Sequence, residues 1–191
     1  MANVVFIGAY AYAQAVLDAL PEPPVLVITN TVEAPRQQEL SWPGESAYLD
    51  VHGTNLEYDV LARGGFDLVV VAGWRRLVPI VALTVGFHSA KLPEYPGRAP
   101  VANAILRGDR YLTNTMLWLD GGTDSGDIID EWEFPIEGRT PDDIYAEIGE
   151  TSALMLKRHW SGLIDGSAPR RKQNRTLRGT LTPADAWERL P

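Results

Sequence analysis

Three histidines, His52, His88 and His159, are the side chains of this 191-residue sequence whose ordinary pKa lies near neutral pH. His52 sits in a polar, turn-rich stretch and reads as an exposed loop residue. His159 lies late in a long helical segment beside Lys157 and Arg158 and reads as helix surface. His88 follows Val85-Gly86-Phe87 and precedes a segment pinned by Pro93, Pro96 and Pro100, so a strand end presents it to a rigid loop. Taken alone it is as compatible with a structural role as with proton transfer. Downstream, DGGTDSGD over residues 120–127 gathers Asp120, Asp124 and Asp127 among three glycines. Its plainest reading is a turn, since Asp and Gly are turn formers. A metal loop is the functional rival, but calcium is disfavoured because the bidentate glutamate of a calcium loop is missing at the proper spacing. No metal is expected.

The sequence has no cysteine, so disulfides, thiolate metal ligands and a cysteine nucleophile are excluded. It also lacks the glycine-rich dinucleotide fingerprint, the P-loop, the nucleophile elbow of serine hydrolases and the HExxH zinc motif.

The elements that must position these residues read as an alternating α/β chain. Buried strands are expected over 3–7, 25–28 and 68–72, with helices over 11–20 and 56–63 between them. Continuous runs such as Leu68 to Ala72 suit a parallel sheet covered on both faces. Residues 30–55 read as a long loop with room for a short helix. Residues 74–100 carry prolines at 93, 96 and 100 and read as an irregular segment of the kind that carries function. A short helix over 101–107, strands over 113–119 and 128–136, and a helix from Thr140-Pro141-Asp142-Asp143 to about Leu163 follow. The polar tail beyond Gly166 has room for a hairpin or a short helix. One catalytic domain over 1–165 is expected, with 166–191 an extension packed on it or at a subunit interface; a homodimer is compatible with this.

The formal net charge is −8, which disfavours broad attraction to nucleic acid or an anionic membrane. The basic cluster Arg170, Arg171, Lys172, Arg175 and Arg178 reads as a solvated tail, with a local phosphate contact left open. No basic and apolar leader and no run of about 18 apolar residues is seen. A cytoplasmic protein with no membrane and no nucleic-acid partner is expected.

The segment GFHSAKLPEYPG resembles the signature of the formyltetrahydrofolate-dependent formyltransferases, in which an Asn-x-His pair precedes Leu-Pro and then Gly. His88, Leu92, Pro93 and Gly97 fall in register. LDGGTDSGDII resembles the family's second block, with Asp124 at the position of its catalytic aspartate. The two are separated by 124 − 88 = 36 residues, the family's spacing. VVVAGWRRLVP is similar to the folate-contact segment, and VVFIGAYAYAQAVLDAL to the first strand and helix. The resemblance covers roughly residues 3–165.

That resemblance implies a Rossmann-like formyltransferase fold, a mostly parallel central sheet flanked by helices, with N10-formyltetrahydrofolate as cosubstrate. His88 and Asp124 would manage protons, and the histidine together with an asparagine would stabilise the oxyanion formed on the formyl group. Here the asparagine's place is held by Gly86, which has no side chain. A substitute donor is therefore expected, with Asn103 and Asn114 the nearest candidates in sequence; a backbone N–H, a water, or weakened transfer are the alternatives. Ala90 also stands where the family has Ser or Thr. Trp74, Arg75, Leu77 and Val78 are expected on one side of the folate slot, and Leu119, Asp120, Gly121 and Gly122 on the other. Gly8, Tyr10, Tyr12, Pro93 and Arg98 are expected on the acceptor side, where the tyrosine rings suit a base or sugar face. The favoured acceptor is a small-molecule amine, an amino sugar (nucleotide-linked or free) or a specialised-metabolite amine. Glycinamide ribonucleotide is an alternative, as are formyltetrahydrofolate hydrolysis and a folate-binding module without catalysis. The length and acidity of the chain place a tRNA acceptor below these.

Overall fold

The computed structural model describes residues 1–30, 40, 47–50 and 56–190. His52 lies outside them. Among the described residues the sheet has seven strands: β1 (Val4–Gly8), β2 (Leu26–Thr29), β3 (Ala47–Asp50), β4 (Leu68–Ala72), β5 (Leu83–His88), β6 (Tyr111–Trp118) and β7 (Ile128–Pro135). Their order is β3-β2-β1-β4-β5-β6-β7. The first five are parallel, and β6 and β7 close the sheet antiparallel. The helices are α1 (Ala11–Asp18), α2 (Leu56–Ala62), α3 (Pro100–Arg107) and α4 (Pro141–Ile164).

A strand with helices on both sides must be apolar on both, and β1 is buried at all five positions. Its side chains alternate between two cores. Val4 and Phe6 join Val16 and Leu17 of α1 and Met155 and Leu156 of α4. Val5 and Ile7 join Leu61 of α2 and Val69 and Val71 of β4 on the opposite face. Each such side chain contributes about 1.5–3 kcal/mol when fully buried, so these two layers dominate the stability of the frame.

Helix α4 starts where the sequence places it. The Thr140 hydroxyl accepts from the Asp143 N–H at 3.2 Å, and the Asp143 carboxylate accepts from the Thr140 N–H at 3.1 Å, a complete capping box with Pro141 just inside. The helix is fastened to β7 by Asp130, whose Oδ2 accepts from His159 Nε2 and from Arg158 Nη1, both at 2.9 Å. Burial alone would raise the Asp130 carboxyl. Hydrogen bonds from His159, the Glu131 N–H and Arg158 outweigh it and hold the group below its ordinary value.

Two expectations are corrected. Residues 83–88 form a regular strand inside the stretch expected to be irregular, because the prolines at 93, 96 and 100 all fall after it. Its backbone is paired on both sides, parallel with β4 and antiparallel with β6. Residues 47–50, expected to be loop, form the edge strand β3, which needs only one neighbour, β2. Among the described residues no helix is long and apolar enough to cross a membrane.

Residues 166–190 run back across the domain. The Trp118 indole donates to Pro169 O at 3.1 Å, and Arg171 and Ile128 exchange two backbone hydrogen bonds of 2.9 Å. Thr182 bonds to the backbone of Pro96 and Arg98, Ala186 is buried, and Trp187 stacks on Tyr145.

Candidate active site

His88 is the last residue of β5 and is only 6% exposed. Its Nε2 lies 2.8 Å from the carbonyl of Tyr95. A carbonyl only accepts, so Nε2 carries the hydrogen, and in the neutral ring Nδ1 is left with a lone pair. That Nδ1 faces Asp124 Oδ2 at 3.6 Å, too long for a hydrogen bond. The same carboxylate oxygen accepts the Gly97 N–H at 2.8 Å. Two basic atoms therefore face each other across a gap that one proton would bridge. Asp124 is presented with φ +49°, in the left-handed region that a non-glycine residue occupies only when its surroundings hold it there.

Leu119 extends the β6 pairing with β5 by one residue, and the loop that follows returns to the end of β6, where the Trp118 N–H donates to Asp127 O at 2.9 Å. Leu119 N–H donates to Thr84 O at 2.8 Å, which swings its side chain over Gly86. Residues 86 and 88 share one face of the strand, two positions apart. A Cβ at 86 would stand 2.9 Å from a Leu119 methyl, so the isobutyl group fills the space that a side chain there would need.

Neither asparagine supplies a substitute amide in this arrangement. Asn103 donates through Nδ2 to Arg98 O, Ala99 O and Pro183 O at 2.9–3.2 Å, holding the entry to α3 and the tail. Asn114 is fully buried under α4 and donates to Ile148 O, Thr151 Oγ1 and Ser152 Oγ at 2.8–3.2 Å.

The expected folate walls are brought together in part. Trp74, Val78 and Leu119 pack on one core cluster from separate loops. Leu77 is 59% exposed, and the Trp74 indole N–H is buried without an acceptor among the described residues. Asp120 Oδ1 accepts from the Gly122 N–H and the Ser125 hydroxyl, so Asp120 to Gly122 form a hydrogen-bonded turn, with Gly121 exposed at its tip. A hollow of about 10 Å³, room for one water, is lined by Ala9, Tyr10, Asn30, Gly73, Trp74, Arg75 and Arg76. The larger cleft, about 380 Å³, lies between the 122–125 turn and the tail, against Pro93, Gln173 and Arg178.

On the expected acceptor side, Gly8 ends β1, where any side chain would strike Phe6 and the Ala72 carbonyl. Tyr10 reaches the small hollow. Tyr12 stands inside the α1–α4 interface between the rings of Tyr10 and Tyr145, at 6.3 and 5.7 Å. Burial pushes its phenol well above the usual tyrosine range, with neighbouring Tyr145 and Tyr10 adding to the rise and a hydrogen bond with the Gly73 backbone opposing it. Arg98 reaches the Arg75 carbonyl at 3.5 Å.

Several contacts that shape the site have no signal in the local sequence. Tyr95 and Gly97 act through backbone groups, which any residue type possesses. Arg107 lies 4.1 Å over the Tyr95 ring and anchors that loop to α3. Gln173 Nε2 donates to Asp124 O at 2.9 Å and to Gly126 O at 2.7 Å, from 49 and 47 residues away. Only pairing between distant segments could reveal it.

A family model described as formyl transferase matches residues 53–158. The methionyl-tRNA formyltransferase of Campylobacter curvus is 26% identical over 169 residues, covering 78% of this chain and 56% of that protein. The chain thus spans less than two thirds of the length of that relative. Two solved structures share the fold. An N-formyltransferase from Helicobacter canadensis, complexed with folinic acid and dTDP-3-aminofucose, superposes with a TM-score of 0.73 at 21% identity, covering 95% of this chain and 71% of that one. Glycinamide ribonucleotide transformylase 1 from Symbiobacterium toebii superposes with a TM-score of 0.68 at 22% identity, covering 91% and 93%.

Proposed function

Because the chain belongs to the formyl transferase family, we propose that it transfers a formyl group from N10-formyltetrahydrofolate to the amine of a small molecule, an amino sugar being the favoured acceptor. The observation that carries this reading is the His88–Asp124 pair, two basic atoms 3.6 Å apart with the other imidazole nitrogen already spent on Tyr95 O. The folate supplies the formyl group, whose carbon takes the incoming nitrogen as its bond to N10 breaks. His88 Nδ1, backed by the Asp124 carboxylate, receives the proton that the amine must lose, and the same proton returns to the departing nitrogen. Positive charge on the imidazole is then neutralised by a carboxylate already held in place by the Gly97 N–H.

The residues present fit a flat heteroaromatic ring. Trp74 and Val78 offer apolar surface, Leu77 is exposed, and the Trp74 N–H, without an acceptor among the described residues, offers a donor to a ring nitrogen or carbonyl. The amino-sugar preference draws on the Helicobacter canadensis structure with its sugar nucleotide, and on Tyr10 at the carboxyl end of β1. Glycinamide ribonucleotide is the second acceptor, drawn from the fold shared with the Symbiobacterium toebii enzyme. Binding of folate without transfer is favoured by one feature, Leu119 occupying the amide position beside His88.

The test incubates the full chain with N10-formyltetrahydrofolate and, separately, nucleotide-linked amino sugars, glycinamide ribonucleotide, methionyl-tRNA or buffer alone. Acceptor mass, free formate and, by calorimetry, folate binding are read out. A formylated amino sugar is the expected result. Formylation of another acceptor moves the substrate class, formate from buffer alone means hydrolysis, and binding without turnover means the chemistry is lost.

A further inference from the structure

The site depends on a residue from the tail that no motif marks. Asp124 holds its left-handed backbone between two carbonyls, its own and that of Gly126, and the Gln173 amide nitrogen donates to both, at 2.9 and 2.7 Å. The next turn of the tail adds a donation from Arg178 to Thr123 O. Gly126 leaves the loop no room to shift inward, since a Cβ there would lie 1.7 Å from Trp118 O. The loop is thus clamped on one side by β6 and on the other by Gln173. What this clamp fixes is the direction of one carboxylate, whose Oδ2 must meet both the Gly97 N–H and Nδ1 of His88.

We propose that Gln173 is a positioning residue of the active site, acting through Asp124 rather than touching substrate. This rests on the reading of His88 and Asp124 as the proton-handling pair. Without the two amide donations, Asp124 relaxes toward the ordinary right-handed or extended backbone. Its carboxylate then leaves Gly97 and His88 together. A glutamine suits the task because a single NH₂ serves two carbonyls; glutamate or methionine of the same length offers neither hydrogen.

The tail makes other bonds to the neighbouring loop that provide an internal control. Gly179 N–H donates to Pro93 O at 3.0 Å and Thr182 N–H to Pro96 O at 2.7 Å, and neither involves Gln173. The experiment is residue-resolved amide hydrogen exchange on the full chain, comparing the native protein with Gln173→Met and, as a second variant, Gln173→Glu. In both, the Gly97 amide is expected to exchange about tenfold faster while those of Gly179 and Thr182 keep their protection. Asp124→Ala should accelerate Gly97 equally, and adding Gln173→Met to it should accelerate Gly97 no further. Unchanged Gly97 exchange overturns the proposal. A parallel rise at all three amides also overturns it, because it means that Gln173 merely fastens the tail.

Turnover supplies the second arm. Gln173→Met should lower kcat by about 10²-fold through misplacement of the carboxylate, with KM for folate little changed. A protein that transfers no formyl group but shows the Gly97 response keeps the positioning role and loses the proposed function. Normal transfer in Gln173→Met with unmoved Gly97 exchange does the reverse.

Discussion

The Leu119 side chain stands against Gly86, its nearest methyl 2.9 Å from where a Cβ on that glycine would be. A side chain at 86 can therefore be admitted only if the Leu119 side chain gives way. Gly86→Asn in the native background should be overpacked, losing about 1–3 kcal/mol of stability. Coupling it to Leu119→Ala opens the space and lets an amide lie on the His88 face of β5. A placed oxyanion donor is worth about 10²–10³ in kcat, so single-turnover transfer by the double variant should rise toward that limit. Thermal unfolding together with rapid-quench kinetics measures both. A Gly86→Asn variant as stable as the native protein would show that the packing relation has been misjudged.

The proton-handling pair predicts a separation of binding from chemistry. His88→Ala and Asp124→Asn should each reduce transfer by about 10²–10⁴-fold, the range of a general acid–base group. Folate binding, read by calorimetry, should change little, because Trp74, Val78 and Leu119 pack in a cluster that contains neither residue. Near-native turnover in either variant removes the assigned roles.

The two asparagines expected to replace the missing amide are predicted to act on stability. Asn103 and Asn114 each place their amide on three acceptors within the fold. Truncation to alanine removes these bonds from buried or part-buried acceptors, each worth about 0.5–1.5 kcal/mol. Urea unfolding should show that loss, whereas kcat per folded molecule should stay within about twofold for Asn114→Ala, which lies beneath α4. A large fall in kcat with unchanged stability would make Asn114 a participant after all.

Much of the frame is legible in the residues. The buried run at 68–72 and the Thr140-Pro141 helix start rest on local rules of pattern and capping and stand where those rules put them, and the strand expected over 3–7 runs one residue later, over 4–8. The strand over 83–88 is obscured because its sequence, LTVGFH, runs without a break into the proline-rich loop, and its identity is settled by partners on both sides rather than by its own pattern. At the site, His88 and Asp124 stand out only through the resemblance of their two segments, 36 residues apart, to the formyltransferase pattern; taken alone, each reads equally as structural. The Tyr95 carbonyl, the Gly97 N–H and Gln173 are not readable, since backbone groups leave no trace in residue type and a glutamine in a basic tail looks like any solvated residue. The emptiness at Gly86 is visible in the sequence, but its occupation by Leu119 is a fact of packing alone.

The hold of α4 on β7 makes a pH-dependent prediction. Asp130 meets His159 and Arg158 through one oxygen, and its carboxyl is held below its ordinary value in the folded state despite a burial that works the other way. A depressed folded pKa means that the native state binds the proton more weakly than the unfolded chain does. The stabilisation is therefore complete above the unfolded pKa of about 3.9 and disappears as pH falls through the lower folded value. Arg158 is half exposed, so the bond is screened and its worth should be modest, about 1 kcal/mol or less. Asp130→Asn should lower the urea midpoint at pH 7, and the gap between it and the native protein should close as pH drops below about 4. Added salt should narrow the gap at pH 7 as well, because part of the attraction reaches solvent. A gap that persisted unchanged to pH 3 would mean that Asp130 stabilises the helix by shape and not by charge.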